Sequence, residues 1–337
     1  MVRLLSLAAP LNNPTGSPAR IAVLLLALMV AASTTAPPAG ALDAETLRAA
    51  HADLIHGRAD EGIRLLSPAL ARNPGDADAH NLLCRIFLQE ERWDDAIRHC
   101  EAATQQSSQS SDFHMWLGRA YGEKASQVSF VEAYRLARKV RSEFELAVKL
   151  DGRNVPALAD LCEFYTEAPA IIGGGLDKAQ QVADRVEPLD QARAHEMRGS
   201  IAEDRKDVMA AESEFKAEVA AAPNPAIAWT VLASFYRKQQ HWDNMMQAIR
   251  NAVAADNEHG VASAYAASIL IKSNREPQLA IHLLQAYLAS DKQTEDMPAF
   301  LAHVHLGQLM DQQGDKQSAQ REFQAARAMA HEYRGIP

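Results

Sequence analysis

Twelve histidines, three cysteines and a surplus of carboxylates carry whatever chemistry this 337-residue chain has. None falls into a catalytic spacing. His195-Glu196 and His331-Glu332 each lack the second histidine of a His-Glu-x-x-His zinc motif. His303 and His305 stand two apart, which turns them about 200° from each other on a helix. His80, His114, His195 and His303 recur at one position of four separate segments, too far apart for a single ion whose bonds are near 2 Å. They read as imidazoles used in packing, and no metal site is expected. No Gly-x-Ser-x-Gly elbow occurs. No cysteine pairs with a histidine at a plausible loop, and the carboxylates lie along solvated helix faces. The chain reads as a non-enzyme with no cofactor.

Three smaller constellations remain. Gly173, Gly174 and Gly175 precede a helical pattern, and a glycine run in that place can cradle an anion. The phosphate loop needs Gly-Lys-Ser/Thr after its glycines, whereas this chain continues Leu-Asp-Lys. A basic face formed by Arg135, Arg138, Lys139 and Arg141 lies upstream, either as a solvated face or as the other half of an anion or hydrolytic site. Cys84 and Cys100 fall on inward positions of two neighbouring helices. They are either a disulfide or two small core residues, and Cys162 reads as a buried filler.

The elements that hold these residues are helices. Residues 306–326 set Leu306 and Met310 on one face, break at Gly314-Asp315, then set Ala319, Phe323 and Ala326 on another. Neither short helix buries its stripe alone. The small residue Ala319 has equivalents at Gly62, Ala96, Val140, Ala179, Ala211, Met245 and Ala280, with steps of 34, 44, 39, 32, 34, 35 and 39. A second column reads Ala50, Cys84, Gly118, Cys162, Gly199, Ala233, Ser268, Gly307, and all are small. A third holds the filler: Leu66, Cys100, Phe144, Ala183, Phe215, Ile249, Leu284, Phe323. Small residues in one column let paired helices approach closely, and a period near 34 marks a helix-turn-helix repeat.

On these residues the chain resembles tetratricopeptide-repeat proteins. The recurring residues stand as Leu117, Gly118 and Tyr121, as Trp229, Leu232, Ala233 and Tyr236, and as Leu306, Gly307, Gly314 and Ala319. Glu218 and Tyr287 depart from the pattern, and two copies are too long. The resemblance implies an all-α, right-handed α-solenoid of about eight repeats, near residues 43–76, 77–110, 111–154, 155–191, 192–225, 226–260, 261–295 and 300–331, with a fraying tail at 332–337. The third copy should have a long second helix over 129–148, and the fourth a Pro–Gly-rich loop over 168–175. This pair of insertions is similar to that of bacterial exported tetratricopeptide proteins and, more distantly, of regulators of microtubule dynamics.

Residues 1–41 stand apart. Their only charges are Arg3 and Arg20, an apolar run covers 21–32, and Ala39-Gly40-Ala41 offers a small-x-small cleavage site. This reads as a secretory signal peptide, its apolar run being shorter than the roughly 20 residues that span a bilayer. An exported, periplasmic or secreted chain with no transmembrane span is expected. Net charge is −9, and −11 without the leader. That argues against nucleic acid or an anionic membrane as the main partner.

Stacked hairpins curve and line their concave side with the first helix of each copy. Asn81, Arg85, Arg119, Glu163, Arg237 and Lys238 fall on that side. Arg85 and Arg119 take the same place in consecutive copies. Two guanidinium groups so spaced either hold a carboxylate-bearing peptide or pair with neighbouring acids of the chain itself. The expected function is a scaffold that binds a protein or peptide in this groove. The alternative is a small-molecule, anion or hydrolytic site built from the two insertions.

Overall fold

A computed structural model describes residues 43–337; the leader lies outside the described residues. Sixteen α-helices form eight consecutive hairpins: α1 (Ala44–Ile55) with α2 (Ala59–Arg72), α3 (Ala77–Gln89) with α4 (Trp93–Gln106), α5 (Ser111–Ala125) with α6 (Phe130–Leu150), α7 (Val155–Glu167) with α8 (Leu176–Val186), α9 (Gln191–Asp204) with α10 (Val208–Ala221), α11 (Ala226–Lys238) with α12 (Trp242–Ala255), α13 (Val261–Ser273) with α14 (Pro277–Ala289), and α15 (Ala299–Gln312) with α16 (Lys316–Met329). Among the described residues there is no strand, and no helix is long and apolar enough to cross a membrane. The fold is an all-α helical-repeat solenoid.

Polar residues at fixed places start the first helices. Asp43, Asp76, Ser110, Asn154 and Asp190 each accept a hydrogen bond from the backbone N–H three residues on, capping α1, α3, α5, α7 and α9. Each such cap satisfies a donor that the helix cannot, and is worth about 1 kcal/mol. The turns inside hairpins reuse one left-handed residue: Gly57, Glu91, Lys206, Gln240, Asn274 and Gly314 all have positive φ. Four of the six are not glycine, so close packing of the hairpin overrides the local steric cost.

The seam of each hairpin explains the small-residue column. A Cβ on Gly118, Gly199 or Gly307 would stand 2.4–2.5 Å from the ring of Phe144, Phe215 or Phe323 on the second helix. The ring therefore fills the space that a side chain would otherwise take. In the second hairpin the same two positions hold Cys84 and Cys100, joined as a disulfide with Cα atoms 5.2 Å apart. Cys162 is free and buried.

Both insertions are ordered. Helix α6 runs 21 residues. The loop after α7 forms a one-turn 3-10 helix, Ala170–Ile172, and returns to α8 through Gly173 to Gly175.

The array closes on itself. Phe300, Val304, Ala326 and Ala330 join one hydrophobic cluster with Leu54, Leu66 and Ile86 of the first two hairpins. A Cβ on Gly57 would lie 2.5 Å from the Ala299 nitrogen, so glycine is required there by closure as well as by its φ of +66°. His331 bonds Asp60 through both its backbone N–H and its ring, at 3.1 and 2.5 Å. The tail expected to fray is instead docked: the Tyr333 ring lies 5.1 Å from that of Phe300, and Ile336 packs against the same cluster.

Candidate functional site

A cavity of about 1000 Å³ opens between α5, α7, α9 and α11, the first helices of four consecutive hairpins. Its wall includes Arg119, Glu163, Arg237 and Lys238, four of the six residues expected in the groove, together with Arg193, Ser200 and Ser234. Arg193 and Ser200 share the first helix of the fifth copy, from which sequence reasoning chose no residue, and their helical spacing was the available signal. Asn81 is buried, so it has no exposed face to present to a partner. Arg85 lies beyond the cavity's edge, beside the first hairpin.

The wall is polar and charged with both signs. Arg119 donates to Asp160 on α7 through Nε and Nη2, at 2.6 and 3.1 Å. Burial opposes its charge, but Asp160, with Asp296 and Glu295 beyond, holds the guanidinium above its ordinary range. Burial pushes Glu163 up to about 8, and like-charged Asp160 and Glu167 add to the shift while Arg193 opposes it. Arg193 pairs with Glu196. Lys238 Nζ reaches Glu203 at 2.7 Å. Arg237 Nε is buried without a hydrogen-bond partner. Such a surface offers donors and acceptors in alternation, which suits a polar chain better than an apolar ligand.

Arg85 and Arg119 are brought together through Trp116. Their guanidinium carbons lie 4.8 and 4.5 Å from the centre of its ring. Arg85 is held by Glu295, with Nε at 3.3 Å from one carboxylate oxygen and Nη2 on the other. Of the two fates open to these arginines, the structure has both paired with acids of the chain itself.

The anion-site alternative loses its donors. The N–H groups of Gly173, Gly174 and Gly175 donate to the carbonyls of Ala170, Pro169 and Tyr165. Arg141 Nη1 donates to the Ile172 carbonyl at 3.3 Å, and Lys178 to that of Gly173 at 2.8 Å. Arg135 pairs with Glu132, and Lys139 lies over Tyr121. The glycines serve packing instead, since a Cβ on Gly174 would stand 1.7 Å from the Ala168 carbonyl oxygen. The alternative reading, in which the two insertions converge on an anion, is thereby left without the backbone donors of the glycine run.

The histidine column also resolves. His114, His195 and His303 each set Nδ1 at 2.6–2.7 Å from a carboxylate of the second helix: Glu143, Glu214 and Glu322. In the second hairpin the partner of His80 is His99, at 2.9 Å. The offset of 19 residues that links three of these pairs was readable in the sequence.

With the helical hairpins and the polar wall described, the chain can be set beside known proteins. The tetratricopeptide-repeat family model matches residues 53–119. Over that stretch the chain is similar to the tetratricopeptide-repeat family. No curated protein matches it. Among solved structures, a thermophilic tetratricopeptide protein of Thermus thermophilus is 19% identical, covering 57% of this chain and 97% of its own, with a TM-score of 0.49. A tetratricopeptide protein of Parabacteroides merdae is 14% identical, covering 85% and 92%, with a TM-score of 0.45.

Proposed function

We propose that the chain is an exported scaffold, without catalytic activity of its own, that holds a segment of a partner protein along its concave face. The cavity of about 1000 Å³ between the first helices is the observation that carries this reading. Its wall is built mainly from helices, so little ordering is lost on binding. Arg119, Glu163, Arg193, Arg237 and Lys238 supply the alternating polar groups that an extended backbone and its side chains need. Export is supported by the apolar leader and by the Cys84–Cys100 bond, a feature of oxidising compartments.

A photoreactive residue placed at Ser200 or Ser234 on the cavity wall, and at exposed Lys149 outside it, tests the proposal in the native host. One partner, identified by mass spectrometry, should cross-link from both inner positions and not from Lys149. Equal capture from all three, or none, overturns the reading. Cell fractionation tests export, and a chain confined to the cytoplasm overturns that part.

A further inference from the structure

Phe130, Val131, Ile171, Val208 and Met209 are the large apolar side chains left exposed among the described residues, and Phe130, Ile171 and Met209 are 86, 79 and 85% exposed. All five stand where the first helix turns into the second in three consecutive hairpins, the third, fourth and fifth, so they share one rim of the solenoid. These turns adjoin. Arg141 of α6 donates to the Ile172 carbonyl at 3.3 Å, and Arg205 lies 3.7 Å from Asp177 at the start of α8. Elsewhere the rim is polar. The second residue of the second helix is Asp60, Asp94, Asp177, Asp243, Gln278 or Gln317 in six hairpins, but Val131 in the third and Met209 in the fifth. The fourth, which has Asp177 there, presents Ile171 from its inserted loop instead. Packing within the fold accounts for none of these exposed side chains, and apolar surface gathered at one edge marks a contact with something else.

The third hairpin leads the row. In the other seven the small residue of the second helix is that helix's fourth residue, as at Gly62, Ala179 and Ala211, whereas Val140 is the eleventh of α6. Helix α6 therefore begins about two turns, or about 10 Å, ahead of the others. Residues 130–141 hold four cations, Arg135, Arg138, Lys139 and Arg141, against one acid, Glu132. Val131, Arg135 and Arg138 fall on one face of the helix, opposite buried Leu136 and Val140. Arg135 pairs with Glu132 at 3.2 Å, yet its side chain is 70% exposed. Arg138 is exposed as well. The helical rise sets Arg135 about 7.5 Å behind Phe130. That matches the depth of one headgroup layer of a bilayer, roughly 5–8 Å.

We propose that this rim docks on a lipid surface with anionic headgroups: Phe130 and Val131 enter the acyl boundary, Arg135 and Arg138 meet the phosphates, and Ile171 and Met209 rest at headgroup level. Phe130, Val131, Ile171 and Met209 stand out as separate tips, and none of the four lines the concave cavity. A protein partner anchors on side chains seated in packed pockets. A lipid layer takes projecting tips without a matching shape and supplies the phosphates beside them. A two-fold contact of this rim with a second copy would press two cationic tips together. The chain's net charge of −9 repels an anionic surface only at a distance, because charges beyond about 8 Å are screened at physiological salt. At contact the cations of α6 decide. The docking is peripheral, since no described helix is long and apolar enough to cross a membrane.

The test places an environment-sensitive dye on the full chain in three variants: Val131→Cys, Ile171→Cys and, as a control on the seventh hairpin, Gln278→Cys. Vesicles of phosphatidylethanolamine and phosphatidylglycerol should shift the emission of the first two to the blue and leave the third unmoved, whatever the leader itself does. Adding Val131→Ser and Met209→Ser to the Ile171→Cys chain should raise the lipid concentration at half-shift at least tenfold. Adding Arg135→Gln and Arg138→Gln should remove any preference for these vesicles over phosphatidylcholine alone. All four side chains are exposed, so Tm should not change. No shift at Val131 and Ile171, an equal shift at Gln278, or an unchanged half-shift in the serine variant overturns the proposal. So does a host protein cross-linked from Val131 and Met209 without a vesicle response, which gives the rim a protein partner. A dimer in sedimentation velocity that the serine variant loses, again without a vesicle response, overturns it in favour of a second copy.

Discussion

The second and fifth hairpins put different chemistry at the same two pairs of positions. In the fifth, Gly199 leaves room for the Phe215 ring, and His195 bonds Glu214 at 2.7 Å. In the second, those places hold the Cys84–Cys100 disulfide and a His80–His99 contact at 2.9 Å. One seam is closed by interlocking shape and a charge-assisted pair. The other is closed by a covalent bond and two imidazoles, of which His99 is driven down to about 4, chiefly by burial and then by His80. The hairpin thus prescribes a distance and a volume at each place, not a residue type.

Four measurements break or sharpen this comparison. The largest effect is expected from Phe215→Ala, which removes a fully buried ring and should cost about 3–5 kcal/mol. Local hydrogen exchange should place the loss in α9 and α10. Reducing the disulfide, or replacing both cysteines by Ala, should cost about 3 kcal/mol for a loop of this size. It should raise exchange in α3 and α4 while leaving the fifth hairpin unchanged. Gly199→Ala sets a methyl 2.5 Å from the Phe215 ring and should cost about 1–3 kcal/mol; Ala at Cys84 alone should not show that clash.

The smallest effect is in pH, where the second and third hairpins should respond with opposite sign. Unfolded, His99 takes a proton near its ordinary 6.5, but folded it resists until about 4. The second hairpin should therefore lose stability as pH falls from 6.5 towards 4. His114 is raised, first by its bond to Glu143 with burial opposing. Its contribution is full below 6.5 and drains away as pH rises through the higher folded value. Exchange rates of α3–α4 and α5–α6 across pH 4–8 check this, and His99→Glu should remove the acid loss by giving His80 a carboxylate.

The hairpins were legible because each repeats its information once per period. The columns through Gly118, Gly199 and Gly307 and through Phe144, Phe215 and Phe323 follow from one packing rule used many times. The long α6 was readable for local reasons. The groove was legible in part: Arg119, Glu163, Arg237 and Lys238 line the cavity, whereas Asn81 is covered. Closure was not readable. Gly57 meets Ala299, and Arg85 meets Glu295, more than 200 residues apart, and each meeting occurs once. An interaction without a period leaves no pattern along a chain. The docking of Tyr333 escaped for the same reason, since the residues around it are polar and read as an ordinary terminus.

The meeting of the last hairpin with the first also governs what the inner space can accept. An open solenoid works like a spring, and its bore widens or narrows as the turns slide. Joined end to end, eight hairpins make a hoop whose bore is fixed by the number of units. A guest that fits enters without moving a single turn, and one that does not must first unclasp the hoop between Gly57 and Ala299.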